Sequence, residues 1–91
     1  MKGKSEKLAD AHRELSYSEG KKVLSHMQRE KGEWNINTLM IEGCDVPFKY
    51  KRKKKYKSLK GAYVNLVYYP ETEVVAGLEF ETMKVVKVNL S

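Results

Sequence analysis

The stretch "VPFKYKRK" at positions 46–53 alternates apolar and basic side chains. Val46, Phe48 and Tyr50 share one parity; Lys49, Lys51 and Lys53 share the other. A period of two marks a strand with one buried and one wet face, because successive side chains of extended backbone point to opposite sides. Pro47 has no N–H to give to a ladder, so this strand starts there or lies at an edge. A second such stretch follows in "GAYVNLVYYP", where Val64, Leu66 and Tyr68 share a face and Pro70 is expected to end the strand. Antiparallel pairing of the two sets Tyr50 opposite Val64, Phe48 opposite Leu66 and Val46 opposite Tyr68. The same register puts Lys51 opposite Tyr63 and Lys49 opposite Asn65 on the wet face. The segment between them then becomes a hairpin tip.

The first third of the chain carries a different period. In "SEKLADAHREL", Leu8, Ala11 and Leu15 fall at helical spacing, with Ser5 as a possible cap. In "SYSEGKKVLSHMQREKG", Ser16 and Glu19 have capping-box spacing, Val23, Leu24 and Met27 form one apolar face, and Gly32 suits a C-terminal stop. This predicts one helix within residues 5–31, or two short ones joined at Gly20. In "WNINTLMIEG" the alternation slips: Trp34 and Ile36 have one parity, Leu39 and Ile41 the other. The slip predicts a strand with a bulge near positions 37–38. "GCD" at 43–45 is a turn signal. Toward the C-terminus, Leu78 and Phe80, then Val86, Val88 and Leu90, alternate with polar residues, while Met83 and Val85 break parity. One or two further strands are expected there, divided by a bulge or short loop.

The resulting expectation is an α+β single domain, 1–91. A helical N-terminal segment, 1–33, packs on a small antiparallel β-barrel or strongly curved sheet formed by 34–91, with roughly four or five strands that hide their edges by closure. Trp34 would anchor the helix on the sheet. This shape resembles an OB-fold or an SH3-like barrel over roughly residues 34–91, in strand pattern and turn placement. The resemblance implies nucleic-acid or protein binding more often than catalysis.

Charge is distributed unevenly. The chain carries a formal net charge of +6, yet positions 49–60, "KYKRKKKYKSLK", alone hold eight basic residues and no acidic one. Everything outside that run therefore sums to −2. Such local basicity points to an anionic partner. Lys49, Lys51, Arg52, Lys53, Lys54, Lys55, Lys57 and Lys60 would neutralise phosphates without reading sequence. The competing reading is a solvated hairpin whose lysines block an exposed edge, but edge blocking needs only one or two of them. Tyr56 on the tip and Tyr63 on the wet face would offer stacking surfaces for bases, whereas Tyr50 and Tyr68 belong to the core. The expected partner is nucleic acid, RNA or single-stranded DNA before duplex. The alternative is an interaction domain that binds an acidic protein or self-associates through Val23, Leu24 and Met27. "KRKKK" at 51–55 also has the composition of a nuclear localisation signal.

Catalysis, metals and membranes find little support. Cys44 is the single cysteine, so no internal disulfide or multi-cysteine metal site can form. His12 and His26 show no metal-ligand spacing with it. Glu79 and Glu81 fit the outward face of a strand; with Glu71 and Glu73 they show no sign of the cleft that acid–base chemistry needs. No cofactor and no enzymatic role are expected. No apolar run reaches the length of a membrane span, and the start has no apolar signal core, so a cytoplasmic location is expected.

Overall fold

The structure, a computed structural model, describes residues 14–91. Of the expected helix, residues 5–13, with Leu8, Ala11 and His12, lie outside the described residues. Five strands follow: β1 Ser16–Lys31, β2 Trp34–Ile41, β3 Phe48–Arg52, β4 Tyr63–Val75 and β5 Leu78–Leu90. Their hydrogen-bonded order is β1-β2-β3-β5-β4, and β4 pairs back onto β1, so the sheet closes into a ring. Four pairings are antiparallel; β3 and β5 run parallel through Phe48↔Met83 and Lys49↔Lys84.

The fold is all-β among the described residues, and the expected α+β class is wrong. Ser16–Lys31 is a strand of 16 residues, not a helix, and among the described residues no helix packs on the sheet. Two irregularities hid it. Gly20 has φ +62, and the register shifts between Ser18 and Lys21, then again between Val23 and Ser25. Each extra residue resets parity, so Val23 points inward while Leu24, at the second bulge, stays on the surface. Bulged alternation resembles helical spacing over short windows. Pairing with β4 over 16–22 and with β2 over 23–31 overrides the helix-favouring Glu, Lys, Gln and Met content. The expected self-association face therefore does not exist as one surface: Val23 is fully buried, Leu24 is exposed at the bulge and Met27 is exposed further along β1.

β2 has no bulge. It is regular from Trp34 to Ile41, and its inward set is Asn35, Asn37, Leu39 and Ile41. The parity slip arises because the strand buries two asparagines at one end and two aliphatics at the other. Trp34 consequently faces outward, 40% exposed, and is not the expected core anchor.

The core is small: Val23, Leu39, Ile41, Phe48, Tyr50, Val64, Leu66 and Val85. Phe48 meets Tyr68 edge to face, with centroids 4.9 Å apart and planes at 74°. The Tyr68 hydroxyl bonds Ser18 Oγ at 2.8 Å, tying β4 to β1. Phe48, Tyr50, Val64 and Leu66 do share the interior, but the expected β3–β4 hairpin is absent. β3 lies between β2 and β5, and β4 lies between β5 and β1. Alternation defines which face is buried, not which strand adjoins. Nor does Pro70 end β4; it pairs with Met83 beyond the last β1–β4 pair, Ser16↔Tyr68, so its missing N–H removes no bond from the β1–β4 ladder. From there β4 and the start of β5 form a two-stranded arm that carries Glu71, Glu73, Glu79 and Glu81, all exposed.

Candidate nucleic-acid interface

The closed ring gives β1, β2 and β3 a common outer face. Cross-strand register places Met27, Thr38, Lys49 and Lys84 in one row across β1, β2, β3 and β5. The next row is Arg29, Ile36 and Lys51, and beyond it Lys31 stands beside Trp34. These rows form a groove of about 390 Å³, with Glu71 and Glu73 of the β4 arm on its far wall. Five cations, Arg29, Lys31, Lys49, Lys51 and Lys84, face two carboxylates there. Trp34 lies at the end of the rows. The Lys51 and Lys53 ammonium groups stand 5.6 and 5.0 Å from its ring centroid, a double cation–π contact.

The ion pairs in this region are surface pairs. Lys49 Nζ lies 2.9 Å from Glu73 Oε1, and Lys53 Nζ lies 3.1 Å from Glu33 Oε1. Both are solvated enough to contribute little to stability.

The basic run divides along the strand. Lys49 and Lys51 point outward into the groove, and Lys53 reaches Trp34. Arg52, of opposite parity, turns inward, with its guanidinium carbon 5.5 Å from the Tyr50 ring centroid and 5.2 Å from that of Tyr56. Lys54, Lys55, Tyr56, Lys57 and Lys60 are exposed on an irregular connection, 53–62. Residues 49–60 are thus half strand and half loop, not the expected basic β-hairpin. Tyr63 is exposed on β4 beside Lys22, and β5 separates it from β3. It does not share a surface with Lys51, as the register read from alternation required.

Inward-facing polar side chains fasten this connection. Asn35 Nδ2 donates to the Lys53 carbonyl at 3.2 Å, and Gln28 Nε2 donates to the Tyr56 carbonyl at 2.8 Å. The Leu59 amide donates to His26 Nδ1, also at 2.8 Å. Asn37 Nδ2 donates to the Asn35 carbonyl, so its Oδ1 accepts, and His26 Nε2 must carry the hydrogen that bridges them at 2.8 Å. His26 is therefore structural, with both ring nitrogens engaged. Burial raises the Tyr50 phenol above its ordinary range, against a smaller lowering by Arg52.

Among the described residues, no three His, Cys, Asp or Glu side chains gather as a metal site, and Cys44 is exposed in the turn after β2. No helix of the described residues is long and apolar enough to cross a membrane. Arg29, Lys31, Trp34, Ile36 and Lys84 escape sequence reading as site residues. They are scattered over three strands with no common motif, and only the register unites them. Comparison with known proteins gives no family: no family model matches the chain, and no curated protein or solved structure is significantly similar to it.

Proposed function

We propose that this chain is a non-catalytic binding module for single-stranded nucleic acid, RNA or DNA, largely independent of sequence. The observation that carries the reading is the outer groove: five cations gathered on one face, with an exposed indole flanked by two ammonium groups at the end of its rows. Arg29, Lys31, Lys49, Lys51 and Lys84 contact phosphates, which supply affinity without a base code. Trp34 offers a stacking face, and a base that takes it releases Lys51 and Lys53 toward the flanking phosphates. Lys54, Lys55, Lys57 and Lys60 extend the positive surface along the connection. An acidic protein would engage the charge but would have no need of the indole.

Fluorescence anisotropy tests this with a labelled single strand, the matching duplex and an acidic peptide of equal charge, titrated at several salt concentrations. The expected order is single strand above duplex and peptide, with affinity falling steeply as salt rises. Equal affinity for all three would reduce the face to a general anion patch. Absence of strand binding at low salt would end the proposal.

A further inference from the structure

The inner side of β3 opens into a second cavity at the end of the ring. It measures about 170 Å³ and lies between Tyr50, Arg52, Tyr56, Leu59, Val88 and the His26–Asn37 pair. The polar groups of that pair are already engaged, Nε2 of His26 with Asn37 Oδ1, Nδ1 with Leu59, and the Asn37 amide nitrogen with Asn35. Arg52 is the exception. Its guanidinium is half-buried between two tyrosine rings and makes no hydrogen bond or ion pair among the described residues. Two cation–π contacts compensate part of its desolvation, and its five N–H donors meet no protein acceptor among the described residues.

Resting on the nucleic-acid reading above, we infer that this cavity receives one pyrimidine base of the bound strand, its carbonyl edge on Arg52 and its ring against Tyr56. A single ring fits, since a cavity of about 150 Å³ accommodates benzene. Chemistry favours a carbonyl oxygen, because arginine donates only, its planar fork can place two N–H groups on one acceptor oxygen, and adenine has no carbonyl to offer. Connectivity favours a base within a strand. Lys51 and Arg52 are adjacent, yet one faces the outer groove and the other the cavity. A strand crossing the end of β3 keeps its phosphates on Lys51 and Lys53 while one base turns inward.

The test compares oligouridine and oligoadenosine of equal length on the wild-type chain and on Arg52→Lys, which keeps the charge and loses the fork. Wild type is expected to prefer oligouridine by about tenfold. Arg52→Lys is expected to bring the two affinities together without changing the salt slope. Intrinsic flexibility of the oligouridine would give a preference that the variant retains, so a retained preference overturns the inference. A second probe, uridine monophosphate, is expected to shift the amide NMR resonances of residues 52–59 in wild type and not in the variant. The variant's remaining spectrum reports whether it is folded. Equal oligonucleotide affinities in wild type, with no shift from the mononucleotide, overturn the cavity alone and leave the outer face standing. Mononucleotide shifts with no oligonucleotide binding uphold the cavity and overturn the outer face.

Discussion

Leu59 donates its backbone N–H to Nδ1 of His26 at 2.8 Å, a bond between positions 33 apart that anchors the basic connection inside the ring. His26→Phe preserves bulk but leaves that amide and Asn37 Oδ1 without their partner. The expected loss is about 1–3 kcal/mol in urea denaturation, the cost of an unsatisfied buried polar group. Amide exchange should accelerate at Leu59 and its neighbours more than in β4. Unchanged exchange at Leu59 would mean that the connection is held by its other bonds.

The outer groove is expected to dominate the salt dependence of binding. Replacing Lys49, Lys51 and Lys84 together by Gln should flatten the slope of log K against log salt by about 2 for a single strand. Trp34→Ala should weaken binding by about 1–3 kcal/mol with little change in slope, because stacking releases few ions. Tyr63→Ala serves as the contrast: β5 stands between it and β3, so affinity should stay at the wild-type value.

Leu39 and Leu24 are a paired test of the strand assignment of β1. Leu39 is fully buried, whereas Leu24 is 48% exposed at the bulge. Leu39→Ala should cost about 2–5 kcal/mol, and Leu24→Asp no more than about 0.5 kcal/mol. A helix packed through Val23, Leu24 and Met27 would make the second substitution severe, so thermal melting of the two variants separates the folds.

The turn between β4 and β5 holds a strained residue. Ala76 has φ +53, followed by Gly77 at φ +82, the backbone of a two-residue hairpin turn that favours Asn–Gly. Ala76→Asn should stabilise the protein by up to about 1 kcal/mol, because Asn tolerates the left-handed region better. An unchanged denaturation midpoint would show that the arm unfolds separately from the ring.

Alkaline pH is expected to destabilise the fold through Tyr50. Burial raises its pKa above the ordinary 10.0. Above the unfolded-state value the unfolded chain releases this proton while the folded chain retains it, so stability is full below pH 10 and declines as pH rises through the folded pKa. Tyr50→Phe should flatten that decline. The phenolate absorbance of wild type should show one tyrosine ionising together with unfolding.

A clean period of two was enough to identify Phe48, Tyr50, Val64 and Leu66 as buried and Lys49 and Lys51 as wet, because a regular strand must send alternate side chains to opposite faces. Composition alone located the positive charge at 49–60. The same logic failed wherever the backbone added a residue or the interior accepted a polar one. Bulges at Gly20 and Leu24 disguised β1 as a helix, and buried Asn35 and Asn37 disguised a regular β2 as a bulged one. Partner choice was beyond local pattern altogether. β3 joins β2 and β5 rather than β4, and that closure alone brings Arg29, Ile36, Lys51 and Lys84 onto one face and turns Arg52 to the other. Side-chain alternation is a property of neighbouring peptides, so the sequence determined it. Strand adjacency is decided by how the whole ring satisfies its edges and fills its interior, so only the tertiary structure could assemble the site.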